Sequence, residues 1–307
     1  MKEVTVTAPA TVANIVCGFD VLGLALAAPF DTLVMKLISE KTVRIINCDE
    51  FNLPTEPGKN VFGGALTAML QEVKENIGFE IKSTKAIMPG SGIGSSAASA
   101  AGAVCGANYL LDNRFSKFDL VRFATFGEEI ASGARHADNI APCIFGGVTL
   151  IRSNNPPDII PLRSPELYVT VIHPQIEVKT SDARQILKKQ ILLKDAITQW
   201  GNIAGLVAGF MQEDYNLIGR SLTDIIIEPV RSMLIPGFDE IKKKSLEVGA
   251  LGGGISGSGP SVFMLCRDES TAHKVEQVMN EVYSKVGVAY NIYVTKVNKQ
   301  GVKVTEN

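Results

Sequence analysis

Apolar and polar positions alternate at the start of the chain, in Val4-Thr5-Val6-Thr7, and β-branched runs such as Thr32-Leu33-Val34 and Val43-Arg44-Ile45-Ile46 follow. Period two with β-branched side chains predicts strands over 3–8, 32–38 and 42–47. Glu56-Pro57-Gly58 predicts a turn, and Asn60 can cap a helix running to about Ile77. A strand over 80–88 leads into Pro89-Gly90-Ser91-Gly92-Ile93-Gly94-Ser95-Ser96, followed by an Ala-rich helix over 95–111. An amphipathic helix from Ser116 to Ala131 and a strand from Ile144 to Ser153 come next. Asn154-Asn155-Pro156-Pro157-Asp158 is a row of turn residues and predicts a linker. Beyond it, strands are expected over 167–173, 261–267 and 289–296, with helices over 181–192, 194–211, 214–224, 237–249 and 270–285. The mixture lacks a regular β-α repeat, which predicts an α+β fold rather than a doubly wound sheet. The length predicts two domains, 1–160 and 161–307.

Charge and composition then narrow the function. The 307 residues carry 30 Lys+Arg against 32 Asp+Glu, a net charge of −2, which excludes a strongly basic nucleic-acid binder. With 46% hydrophobic and 20% charged residues the chain is globular in composition. Its cysteines, Cys17, Cys48, Cys105, Cys143 and Cys266, are odd in number and contain no C-x-x-C pair. That predicts reduced thiols in a cytoplasmic protein rather than a zinc or disulfide framework. No signal peptide is expected. The uncharged stretch from Ala86 to Leu111 is long enough to cross a bilayer, but Pro89, the Gly/Ser run and the Ala/Gly-rich second half partition weakly into lipid.

Candidate chemistry sits in the glycine clusters. Pro89 to Ser96 stands between a strand and a helix, so its backbone N–H groups and the positive end of the helix dipole converge on one spot. Phosphate is the natural ligand there, with Gly90, Gly92 and Gly94 allowing positive φ and Ser91, Ser95 and Ser96 offering hydroxyls. The P-loop spacing is absent. Gly252 to Pro260 contains a literal G-x-G-x-x-G, but it follows a helix and opens a strand, the reverse of a dinucleotide fingerprint. A flexible loop closing over a site from the other domain is the expectation. Gly102 and Gly106, and the series Gly201, Gly205 and Gly209, are spaced for close helix packing.

Three segments together resemble the signature motifs of the GHMP small-molecule kinase superfamily: Pro9 to Leu26, Pro89 to Ala100 and Gly252 to Ser261. A fourth, Gly133-Ala134-Arg135-His136-Ala137-Asp138-Asn139-Ile140-Ala141-Pro142, is similar to the branch that phosphorylates homoserine. The resemblance spans nearly the whole chain. It implies a two-domain fold, with an N-terminal domain like ribosomal protein S5 domain 2 and a ferredoxin-like C-terminal domain. It also implies ATP-dependent phosphorylation of the L-homoserine side-chain hydroxyl for threonine synthesis, in a protein that is a homodimer. By that resemblance Pro89, Gly90, Ser91, Gly92, Ile93, Gly94, Ser95 and Ser96 wrap the triphosphate, helped by Gly257, and Asn60 and Val61 line the adenine pocket. Ser96 and Glu128 hold Mg²⁺. The amino acid meets Asn14, Asp20, His136, Asn139, Thr180, Arg184 and Arg231.

These implied roles make chemical sense. A zwitterion needs cations for its carboxylate, as Arg184 and Arg231 supply, and an anion such as Asp20 for its ammonium. Thr180 and Arg184 lie i,i+4 on one helix face, so both can point at one ligand, although a helix cap with a solvated Arg would read the same way. Arg231, near a helix start, reads equally as an exposed ion pair. Mevalonate kinases place a catalytic Asp in the stretch matching Asp138-Asn139, and here Asn139 takes that place. The expectation is direct in-line transfer with the hydroxyl oriented by Asn139 and no dedicated base. Another GHMP kinase, or a non-catalytic nucleotide sensor on the same fold, is the alternative. The first motif departs from the usual N-L-G-P-G-F-D form: Val16-Cys17 replaces Gly-Pro, which predicts a different backbone path; Cys17 itself reads as a small buried filler, with a thiol open to reagents near the site as the alternative.

Overall fold

Burial alternates along β1 (Glu3–Ala13), with Val4, Val6 and Ala8 inside, and the strand runs on past the expected end at residue 8. The computed structural model describes residues 2–178 and 180–307. β2 (Leu22–Ile38) is one long strand across Phe30 and Asp31, and β3 (Val43–Asn47), α1 (Val61–Gln71) and β4 (Gly78–Thr84) follow. Then come α2 (Ser95–Leu110), α3 (Lys117–Ser132), α4 (Ile140–Phe145), β5 (Val148–Asn154) and β6 (Pro157–Leu162). The second half holds β7 (Tyr168–Pro174), α5 (Thr180–Gln185), α6 (Leu193–Gln212), α7 (Tyr215–Ser221), α8 (Glu228–Arg231) and α9 (Phe238–Glu247). It ends with β8 (Gly252–Ile255), β9 (Val262–Cys266), α10 (Glu269–Val286), β10 (Tyr290–Lys296) and β11 (Lys303–Glu306).

Among the described residues the strands form two sheets. The first has the order β11-β1-β2-β4-β3, with β5 on the start of β2 and β6 on β5. Helices α1 to α4 cover one face of it. α2 lies closest, because Gly102 has room for no more than hydrogen beside Ala8 and Leu33, and Gly106 beside Val6 and Met35. The second sheet is β10-β7-β9-β8, antiparallel throughout, and α9 and α10 pack on it around Ile172, Met264, Val275 and Met279. The α+β expectation holds.

Several boundaries move, for local reasons. α1 stops at Gln71, since Glu72, Lys74, Glu75 and Asn76 offer little apolar surface to bury. α3 has the Ser116–Asp119 capping box and ends on Gly133 at φ 74°. The strand read from Ile144 begins at Val148, because 140–145 is helical and Gly146 and Gly147, both at positive φ, break the chain there. The row of turn residues 154–158 is not a linker but the turn of the antiparallel β5–β6 hairpin, where Asn154 faces Pro157. A division at residue 160 would therefore cut β6, and β11 returns to pair with β1. The helix expected over 181–192 spans only Thr180–Gln185. Gly252–Ile255 is a buried strand rather than flexible loop, leaving a short turn over 256–261. In the series on α6, Gly205 and Gly209 meet α7, while Gly201 meets nothing and does not serve packing.

Candidate active site

Where the two layers meet, α2 begins at Gly94 with no side-chain cap on its first turn. Its leading N–H groups are left for a ligand, and the helix dipole favours an anion at that end. Gly90, Gly92 and Gly94 all stand at positive φ, between 73° and 81°, in the loop before it. The turn after β8 braces this loop from the other layer. Ser256 Oγ donates to Gly92 O at 2.8 Å and Ser261 Oγ donates to Ser91 O at 2.6 Å, so two loop carbonyls are drawn outward. Beneath the loop Lys85 and Asp31 form an ion pair with side chains 2% and 1% exposed. Lys85 Nζ also donates to Ser99 Oγ at 2.9 Å, and Asp31 accepts the N–H groups of Ala86 and Ile87, both at 2.9 Å. A buried pair with all these partners satisfied fixes the strand end that feeds the loop.

The loop opens on a cleft of about 350 Å³, a size suited to a small-molecule site. Pro89, Gly90, Gly92, Gly94, Ser95, Ser96, Asn60, Val61 and Gly257 line it. Ser91 and Ile93, expected with them, do not: both are buried, and their carbonyls accept from Ser261 and from the Thr11 N–H. Asn60 caps α1 through Phe62 N at 2.8 Å and donates to Pro54 O, so its side chain is held at the cleft edge.

Ser96, in the first turn of α2, donates to Glu128 Oε2 of α3 at 2.7 Å. Burial raises the Glu128 carboxyl above its ordinary value. Glu129 turns outward and pairs with Arg135. Among the described residues no three His, Cys, Asp or Glu side chains converge on a point. A hydroxyl and one carboxylate beside a phosphate cradle still fit Mg²⁺, which takes few protein ligands and completes its shell with phosphate and water oxygens.

The cleft also carries fixed charge. Arg184 of α5 makes two hydrogen bonds to Asp20, at 2.9 and 3.1 Å, from the far layer. Arg231 is 3% exposed, not the exposed ion pair its position also allowed. Its Nε donates to Ala183 O and its Nη1 to Gly257 O, both at 3.0 Å. Burial, and then the charge of Arg184, lower its guanidinium to about 10. Asn14, His136, Asn139 and Thr180 line the same cleft. Among the described residues His136 Nδ1 is buried without a partner, and burial lowers the ring below its ordinary value, which favours the neutral ring. Thr180 Oγ1 lies 3.3 Å from Ser258 Oγ. Every residue expected to meet the amino acid lines the cleft.

The loop carrying Asn14 and Asp20 is built on left-handed backbone. Asn14, Ile15 and Val16 are consecutive left-handed residues, at φ 73°, 39° and 64°, with Asp20 at 61°. Left-handed β-branched residues are strained, each by roughly 1–3 kcal/mol, and strain of this kind gathers at functional sites. Asn14 Oδ1 accepts the Asp20 N–H at 3.0 Å and Asn14 Nδ2 donates to Gly257 O at 2.9 Å, which ties the loop to the opposite layer. Cys17 is fully buried, and burial pushes its thiol up to about 12, so it is a small buried filler rather than a thiol open to reagents.

The sequence reading assigned no role to three residues of this region. Lys85 lines the floor, and nothing in a lone lysine at a strand end signals that. Asp138 lines the wall with a carboxyl that burial, and then the charges of Asp20 and Glu128, raise to about 7. Thr11 Oγ1 donates to Asn139 Oδ1 at 2.7 Å.

Comparison with known proteins gives the family. Residues 60–147 match the GHMP kinases N terminal domain and 206–285 match GHMP kinases C terminal. The homoserine kinase of Chlorobium phaeobacteroides (strain BS1) is 43% identical, with 99% of this chain and 100% of that protein covered. That of Methanococcus vannielii is 38% identical over 92% of this chain and 94% of its own. The crystal structure of homoserine kinase from Cytophaga hutchinsonii superposes with a TM-score of 0.94 at 48% identity, covering 99% of this chain and 98% of that one. With relatives this similar along its whole length, and both kinase domains matched in order, the chain belongs to the homoserine kinases of the GHMP kinase family.

Proposed function

We propose that this chain transfers the γ-phosphoryl group of ATP to the side-chain hydroxyl of L-homoserine, giving O-phospho-L-homoserine for threonine synthesis. One observation carries the reading: one cleft is lined both by the glycine loop with its uncapped helix start and by Asp20, Arg184 and Arg231, with Asn139 lining the same space. The cradle suits a triphosphate. Two guanidinium groups and a carboxylate suit the carboxylate and ammonium of an amino acid. Asn139 would orient the hydroxyl for in-line attack, and in a loose, metaphosphate-like transition state such positioning does most of the work. No dedicated base is then needed: as the new O–P bond forms and ADP leaves, the hydroxyl proton passes to an oxygen of the transferred phosphoryl group. His136, neutral and with an open nitrogen, is a hydrogen-bonding contact for the amino acid.

Mg²⁺ belongs to the proposal through Ser96 and Glu128, and when bound it neutralises phosphate charge. The proposal places the protein in the cytoplasm as a homodimer; no helix among the described residues is long and apolar enough to cross a membrane.

A coupled ADP-release assay with L-homoserine, L-serine and mevalonate tests the reading. Turnover with L-homoserine above the other two, abolished by EDTA and restored by Mg²⁺, is expected. Preference for mevalonate would favour another kinase of the superfamily. Tight ATP binding without turnover of any alcohol would favour a sensor.

A further inference from the structure

An asparagine amide has two nearly isosteric ends, and only one is a donor. Which end of Asn139 faces the cleft decides whether it gives a hydrogen bond to the reacting oxygens or takes one from the substrate hydroxyl. The backbone around Asn139 leaves this open. Asn139 is the first flanking residue of α4, yet its side chain caps no N–H of that helix.

The partner that fixes it is Thr11. β1 shifts register against β2 between Pro9 and Thr11, and an irregularity of that kind re-aims the side chains beside it. Thr11 is fully buried. Its main-chain N–H donates to Ile93 O at 3.0 Å, inside the phosphate loop, and its hydroxyl donates to Asn139 Oδ1 at 2.7 Å. Gly94 closes the group: a Cβ there would clash with Thr11 Oγ1 and stand 3.1 Å from Asn139 Oδ1. One residue therefore bonds the phosphate loop with its backbone and the reaction-centre amide with its side chain.

The polarity of the bond follows from burial. Among the described residues the Thr11 hydroxyl makes this single hydrogen bond. Were the amide flipped, Nδ2 would donate to Oγ1, and the buried hydroxyl proton would be left without an acceptor. With Oδ1 occupied by Thr11, the end left for the cleft is Nδ2, a donor. We infer that Thr11 is a positioning residue that locks Asn139 with its amide donor toward the transferring phosphoryl group and the attacking oxygen. It also bars Asn139 from receiving the hydroxyl proton. This rests on the reading of Asn139 given above.

The test compares T11V, T11S, N139A and N139D in the full chain, with kcat and both KM values for ATP and L-homoserine. T11V keeps the volume and removes the donor. It should lower kcat by about tenfold to a hundredfold, in the range of a lost alignment, while KM for ATP stays near the wild-type value. T11S keeps the hydroxyl and should recover most of kcat. A purely structural Thr11 would instead raise both KM values and would be rescued better by Val than by Ser. N139D still accepts from Thr11 but presents an oxygen where Nδ2 stood, so its kcat should fall at least as far as that of N139A. If N139D equals or exceeds the wild type, Asn139 is an acceptor and the proposal fails. If T11V keeps kcat within about twofold while N139A loses it, Thr11 has no such role although the reading of Asn139 stands. Full kcat in N139A overturns that reading itself. Should T11V fail to fold, N139D decides alone.

Discussion

Asp20 and Arg184, 164 positions apart in the chain, face each other through two hydrogen bonds across the cleft between the layers. Each presents the charge that an amino-acid zwitterion needs, and in the proposed function substrate entry would exchange one ion pair for two. Arg184→Ala or Asp20→Asn should raise KM for L-homoserine about 10- to 100-fold, as expected for losing hydrogen bonds to a charged group. KM for ATP should hardly move. Steady-state kinetics with each substrate varied in turn checks the split.

Glu128 and Ser96 offer two oxygens beside the cradle, only 2.7 Å apart. Glu128→Gln keeps the shape and removes the charge, and should lower kcat by about 10²-fold, typical of removing one electrostatic stabiliser of the transition state. It should also raise the Mg²⁺ concentration needed for half-maximal rate. A Mg²⁺ titration at saturating ATP measures both.

Gly92 is where the two glycine-rich segments touch. It stands at φ 81°, and a Cβ would clash with the backbone of Gly259 and lie 3.0 Å from Ser256 O. Gly92→Ala should push the β8–β9 turn off the phosphate loop, raising KM for ATP and lowering Tm together. Gly90→Ala shares the positive φ but meets nothing. The smaller change expected there separates the steric effect from the conformational one.

Asp138 gives stability a pH dependence. Its folded-state value of about 7 lies above its ordinary 3.8, so between those values the unfolded chain releases a proton that the folded chain retains. Stability from this group therefore falls as pH rises through that window. Asp138→Asn should flatten the dependence, read as urea midpoints from about pH 4.5 to 7.5. A variant curve parallel to wild type would show that Asp138 ionises normally in the fold.

Cys17 should resist alkylation in the folded protein, being fully buried with its thiol raised to about 12. Iodoacetamide labelling followed by peptide mass analysis should modify the exposed Cys48 first.

Much of the site was legible because it is local in sequence. A strand, glycines at 90, 92 and 94 and an uncapped helix specify an anion cradle through backbone geometry alone, and the segment folded as read. The acidic residue of the Glu128-Glu129 pair that turns inward was likewise legible from the motif. Errors arose where a local signal had two readings. Asn154 to Asp158 carries turn chemistry that serves a hairpin as well as a linker, and only pairing with Pro157 across the turn decides between them. Gly252 to Gly254 looked flexible by composition. Yet Gly253 is pressed against the backbone of Phe263 and Gly254 against Glu228, so close approach rather than flexibility requires glycine there.

By itself the sequence determined the α+β class, most of the longer helices and strands, and the strand-loop-helix around Gly90 to Ser96, because periodicity, caps and positive-φ glycines act within a few residues. The tertiary structure alone decided which charges meet. Arg184 finds Asp20, Lys85 finds Asp31 and Thr11 finds Asn139 across 164, 54 and 128 positions. Such pairings depend on how two sheets and their helices dock, and no local pattern encodes them. Burial then set the chemistry of each group, leaving Asp138 near neutrality, His136 uncharged and the Asn139 amide held by a threonine eleven residues from the start of the chain.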